Sequence, residues 1–218
     1  MSKMNLPNRL TMLRLFMVPI MTVFLLLPNT VSWWLSWEWA FGAGLLIFAL
    51  TSLTDMLDGK IARARNLITN FGKFMDPVAD KFMVIGTMLA MLFRMMNPEL
   101  YGVRYQTAFV TVYFVAVLLV IFRELAITSL RLVLVNANGK VVAANMLGKI
   151  KTVCQIACIC VLFVEPLIEA LVLHLGGGGA LVGVYVASYV TVGLMLLFTL
   201  LSGFFYIKDG IKYISTDW

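Results

Sequence analysis

Runs of about 20 predominantly apolar residues recur along this chain, the length an α-helix needs to cross a bilayer. Hydrocarbon offers no water to backbone N–H and C=O groups. A spanning segment of that length must therefore close its hydrogen bonds within itself, as a helix. Composition agrees: 61% of the 218 residues are hydrophobic, against about 45–50% in soluble domains. Mean hydropathy is +0.95. The expected fold is all-α, a polytopic integral membrane protein with six transmembrane helices. They are placed over roughly 11–28, 38–58, 70–94, 106–133, 147–173 and 180–207.

Lys3, Arg9 and Arg14 precede the first run as they would in a secretion signal. The stretch after it, Pro28-Asn-Thr-Val-Ser-Trp-Trp34, has no small-x-small cleavage site, so the span is read as retained. Pro7-Asn8 marks a helix start, and Trp33, Trp34 and Trp37 fit an interfacial aromatic belt. A basic loop carrying Lys60, Arg63, Arg65 and Lys73 is expected between the second and third spans. Pro77 falls in the first turns of the third, where proline is tolerated. A short polar loop follows Asn97-Pro98, and Asn136-Ala-Asn-Gly139-Lys140 reads as a turn. His174 is expected in a loop beside the glycine run 176–179. Cys154, Cys158 and Cys160 lie in one apolar run without His or carboxylate and read as small packing residues. No separate soluble domain or internal repeat is evident, so residues 1–218 are read as a single membrane domain.

Six spans put both termini on one side. All of the 17 Lys and Arg except Arg94 and Arg104 then lie at or near that side. The positive-inside rule makes it the cytoplasm. The net charge of +6 is modest for so apolar a chain and does not point to nucleic acid.

The chemistry is concentrated in Asp55-Met-Leu-Asp58-Gly59-Lys-Ile-Ala62-Arg63, continued by Gly72-Lys-Phe-Met-Asp76-Pro-Val-Ala-Asp80. The aspartate spacings are 3, 18 and 4. On helices, Asp55 and Asp58 share one face and Asp76 and Asp80 another. Two helix ends can thus aim four carboxylates at one spot. Such a cluster needs shared protons or divalent metal, and oxygen-only donors favour Mg²⁺ or Mn²⁺. Gly59, Ala62 and Gly72 allow close approach of a ligand to the backbone, and Lys60 and Arg63 suit phosphate. Carboxylates lining an ion path are the plainer alternative. It accounts for the acids but not for the glycines, Ala62 or Arg63. Elsewhere, Arg123 lies inside the fourth apolar run with Glu124 beside it, and Gly148-Lys149-Ile-Lys151-Thr152 opens the fifth, with Gln155 one turn on. Ionisable residues within spans are costly and mark function; for the lysines, snorkelling to the interface is the bland alternative, and for Glu124 it is a pair with an arginine.

The pattern Asp-x2-Asp-Gly-x2-Ala-Arg-x8-Gly-x3-Asp-x3-Asp resembles, at every fixed position, the signature of the CDP-alcohol phosphatidyltransferases. Further features resemble the bacterial phosphatidylglycerophosphate synthases of that family. They are Pro7-Asn8-Arg-Leu-Thr11-Met-Leu-Arg14, Arg123-Glu124 with Arg131, and Gly148-Lys-Ile-Lys-Thr152 with Gln155. The likeness extends over nearly the whole chain. It departs at the tryptophan-rich loop, at 96–105, at the glycine run and at Leu132, where an acid stands in a relative.

The resemblance implies the CDP-alcohol phosphotransferase fold in a bacterial inner membrane, with the termini and the active site on the cytoplasmic side. It implies two Mg²⁺ or Mn²⁺ ions held by Asp55, Asp58, Asp76 and Asp80, with Asp80 also the catalytic base. CDP-diacylglycerol would be bound by Gly59, Ala62, Arg63, Thr69, Gly72, Asn8 and Thr11. The phosphate of sn-glycerol 3-phosphate would fall to Arg123, Lys149, Lys151 and Thr152. The products would be phosphatidylglycerophosphate and CMP, and the assembly a homodimer. Acceptors such as phosphatidylglycerol, inositol phosphate or serine stay open, as does, from another class, a divalent-cation transporter.

Overall fold

A computed structural model describes residues 5–27, 36–64, 70–101, 103, 105–138, 146–176 and 185–214. Within these, the side chains of 6–7, 56–64, 70–71, 73, 133–138 and 209–214 are not described. The described residues form helices α1 (Leu6–Leu26), α2 (Trp37–Ala64), α3 (Asn70–Met96), α4 (Pro98–Tyr101), α5 (Thr107–Asn138), α6 (Met146–His174) and α7 (Val186–Ile214), with no strand among them.

Five of the helices are long and apolar enough to cross a membrane: α1, α2, α5, α6 and α7. The remaining expected span, the one placed over 70–94, corresponds to α3. Its 27 residues would reach about 40 Å at 1.5 Å per residue. The charged residues Lys73, Asp76, Asp80 and Lys81 at its head make it less apolar than the rest.

Several boundaries differ from those expected. Lys60 and Arg63 lie on α2, which runs on to Ala64, and not in a loop. Asn136 and Asn138 belong to α5, so the expected turn does not begin there; Gly139 and Lys140 are outside the described residues. Residues 98–101 form a helical turn, His174 ends α6, and the tail through 214 continues α7. The common reason is that a helix does not stop where its residues cease to be apolar. Its backbone bonds are internal and persist into headgroup and water. Pro77 lies inside α3, in its eighth position, and not in its opening turn.

Two compact units are present. The first contains α1 to α4 and α6 from Leu162 onward; the second contains α5, α6 up to Val161, and α7.

In the first unit α1 packs on α2 and α3. Its buried residues, Asn8, Thr11, Arg14, Val18, Met21 and Leu25, recur every three or four positions, which is one helix face. The half of that stripe nearer the N-terminus is polar and the other half apolar. The apolar half meets Gly44 of α2. A Cβ there would lie 2.9 Å from the Phe163 ring and 3.1 Å from Leu25, so only glycine lets these three helices approach. Arg94 fastens the C-terminal end of α1: its guanidinium donates to the Leu25 carbonyl at 2.6 Å and lies over the rings of Phe41 and Tyr101 at 4.6 and 4.7 Å. The Tyr101 hydroxyl donates to the Leu26 carbonyl at 3.0 Å. Helix ends leave carbonyls without intrahelical donors, and these two side chains supply them.

In the second unit α5 packs on α7. The buried positions of α7 are Ser188, Val192, Met195, Thr199, Ser202, Gly203 and Tyr206. Small and hydroxylated residues at such an interface let helix backbones approach in lipid. Cys158 is buried, Cys154 and Cys160 are partly so, and all three are free thiols, as expected of packing residues.

Candidate active site

The polar half of the α1 stripe faces the aspartates. Thr11 donates its hydroxyl to Asp76 Oδ1 at 2.6 Å. One turn later the Arg14 guanidinium ion-pairs with both Asp55 Oδ1 and Asp80 Oδ1. Thus α1 holds one acid from α2, nine residues before that helix ends, and two from the N-terminal half of α3. The Arg14 side chain has no solvent exposure, whereas Asp55 and Asp80 are 38% and 45% exposed. The guanidinium closes the inner side of the carboxylate pair and leaves the outer side open to a diffusing ligand.

The expectation of four carboxylates at one spot is met in part. Asp55 and Asp80 converge on Arg14, while Asp76 is turned to Thr11. Among the described residues, no three acids or other metal-ligating side chains close on one point. Asp58 is on α2 one turn after Asp55, with its side chain outside the described residues, as are those of Ala62 and Arg63. Gly59 is on the same stretch of α2, and Gly72 is buried in the first turn of α3. Thr69 lies outside the described residues. Asn8 is buried, on the face of Thr11 and Arg14.

Sequence reasoning missed Arg14, which it counted among the cations that set orientation. The available signal was its spacing: Asn8, Thr11 and Arg14 are three apart, which puts a charge on one helix face with two polar residues.

In the second unit a separate polar group forms on α5 and α6. Glu124 accepts from the Arg123 guanidinium at 2.9 Å and from the Lys151 ammonium. All three side chains are nearly buried, at 13%, 12% and 8% exposure for Arg123, Glu124 and Lys151. The stem of Arg123 lies against Gly203 of α7, where an added Cβ would stand 3.3 Å from its Cγ. A buried carboxylate that pairs two cations fixes their separation and leaves the trio at net +1. Lys149 is exposed and takes no part in this group, and the Thr152 hydroxyl donates to the Gly148 carbonyl of its own helix at 3.1 Å. Gln155 is buried one turn beyond Lys151. Arg131 lies over the Tyr206 ring at 5.8 Å.

With carboxylates of α2 and α3 braced by α1, on an all-helical, multi-pass membrane scaffold, the chain belongs to the CDP-alcohol phosphatidyltransferase family, whose model matches residues 4–201. It is also similar to individual proteins. A Bacillus subtilis protein named CDP-diacylglycerol–glycerol-3-phosphate 3-phosphatidyltransferase is 37% identical over 75% of this chain and 78% of its own length. A Rickettsia felis protein of the same name is 30% identical over 96% of this chain and 97% of its own.

Proposed function

We propose that this chain transfers the phosphatidyl group of CDP-diacylglycerol to sn-glycerol 3-phosphate, giving phosphatidylglycerophosphate and CMP. The observation that carries this is the similarity to proteins of that printed name along 96% of the chain, together with the full signature at Asp55 to Asp80.

The acceptor hydroxyl oxygen attacks the phosphorus that bears diacylglycerol. The bond from that phosphorus to the CMP oxygen breaks, CMP leaves with the bond's electron pair, and the hydroxyl proton passes to Asp80. Protein work in such a transfer is mostly positioning and charge stabilisation. Asp55, Asp58, Asp76 and Asp80 are the residues that would hold divalent ions. The donor set fits: it is oxygen only, and the carboxylates of Asp55 and Asp80 are open to solvent on the side away from Arg14. Mg²⁺ or Mn²⁺ held there would supply positive charge to the diphosphate and to the attacking and leaving oxygens. Gly59, Ala62, Arg63, Thr69, Gly72, Asn8 and Thr11 are assigned to CDP-diacylglycerol. Arg123 and Lys151, with Lys149 and Thr152, are assigned to the acceptor phosphate. The Arg123–Glu124–Lys151 group supports this, because two cations held by one carboxylate favour an anion over a neutral alcohol. The charge bias of the Lys and Arg residues supports termini and active site on the cytoplasmic side of a bacterial inner membrane. A homodimer is proposed on the family resemblance, and mass measurement in detergent tests it.

Purified protein given CDP-diacylglycerol and Mg²⁺ should release CMP with sn-glycerol 3-phosphate, and much more slowly with serine, inositol or glycerol. Faster release with inositol phosphate or phosphatidylglycerol would keep the family and overturn the acceptor. Without CMP release dependent on both substrates, the transferase reading fails.

Arg123→Gln or Lys151→Gln should raise the apparent KM for glycerol 3-phosphate by roughly 10- to 150-fold, the equivalent of about 1.5–3 kcal/mol for a hydrogen bond to a charged group. The KM for CDP-diacylglycerol should move much less. Equal loss on both substrates would assign these cations to the nucleotide diphosphate or to the fold.

A further inference from the structure

Arg14 is a long cation on the buried face of an apolar helix, and none of the binding assignments above uses it. Taking a guanidinium out of water is costly unless it is paired. Among the described residues it is paired with acids from two different helices. The two pairs tie α2 to α3 through α1. They also put a full positive charge against carboxylate oxygens that a divalent cation would need. We propose that Arg14 is a positioning residue, a fixed internal cation that holds Asp55 and Asp80 together and tempers the affinity of the cluster for divalent cations. This rests on the reading of those aspartates as metal ligands.

Asp55 and Asp80 repel one another when both are ionised, and Arg14 offsets one of their two charges. The protein can then fold with the acids in place before a divalent cation arrives. The same charge repels that cation once it does arrive, so binding is weaker and more readily reversed than four uncompensated carboxylates would make it. Without Arg14, the metal-free protein loses its brace, while the metal-loaded protein gains affinity in compensation.

Thermal unfolding of the purified protein in detergent, in EDTA and in saturating Mg²⁺, separates this from simple packing. Mn²⁺ binding read by electron paramagnetic resonance gives a second readout. The wild-type protein should unfold at a higher temperature in Mg²⁺ than in EDTA. In Arg14→Gln the EDTA midpoint should fall further than the Mg²⁺ midpoint, widening the gap by about 3 °C or more. Mn²⁺ should bind Arg14→Gln roughly tenfold more tightly. Arg14→Lys keeps the charge and should keep the wild-type gap. Equal lowering in EDTA and Mg²⁺ would reduce Arg14 to a packing element, and a narrowed gap would mean that it assists metal binding; either overturns the proposal. So does a widened gap in Arg14→Lys, or Arg14→Gln that does not fold even in Mg²⁺. Wild-type protein with neither a gap nor an Mn²⁺ signal would instead remove the metal reading on which the proposal rests.

Discussion

Addition of EDTA is expected to abolish CMP release, and Mg²⁺ or Mn²⁺ to restore it. The expectation comes from charge. Asp55 and Asp58 lie on α2 and Asp76 and Asp80 on α3, and Asp55 and Asp80 meet at Arg14. The guanidinium of Arg14 offsets only one charge of the two carboxylates it touches, and the contact to Asp76 is a neutral threonine hydroxyl. The substrate would add a diphosphate to this excess of negative charge. Close approach of anion to anion is prohibitive without divalent cations, and an oxygen-only donor set selects hard ones. The measurement is CMP formation from CDP-diacylglycerol and sn-glycerol 3-phosphate after dialysis against chelator, then on titration with each metal. Full activity in metal-free buffer would sink the two-metal reading and would leave shared protons as the way the acids coexist.

Spacing along the chain made the acid faces of α2 and α3 legible, because residues three and four apart share a helix face whatever surrounds them. Which helix that face meets is a matter of tertiary packing, and no periodicity reports it. Arg14 therefore passed for an orientation charge, although the neighbours it would join were in plain view. Arg94 is a similar case. It was counted as a cation on the far side, and its work is to close the carbonyl end of α1 between two aromatic rings. Glu124 was legible as an arginine partner, but its second contact, with Lys151, joins residues 27 apart in sequence. Helix existence was readable from hydropathy, while helix ends were not. Hydropathy marks the part of a helix that sits in hydrocarbon, and α2, α5 and α7 each continue past it through polar residues.

Asp80→Asn should remove most turnover while leaving CDP-diacylglycerol binding largely intact. The amide keeps the shape of the side chain, and its oxygen can still accept from Arg14, so the tie between α1 and α3 survives. What it loses is the capacity to take a proton and one negative charge. Loss of a general base typically lowers the rate by about 10²–10⁴-fold. Asp80 is also assigned to metal, so the fall can exceed that range. Its side chain is 45% exposed. Its carboxylate therefore keeps an open side where an acceptor hydroxyl could stand. Turnover measured at saturating substrate, alongside direct binding of CDP-diacylglycerol, separates the two contributions. A large loss of binding with turnover restored at high metal concentration would make Asp80 a metal ligand alone, and turnover close to wild type would remove it from the mechanism.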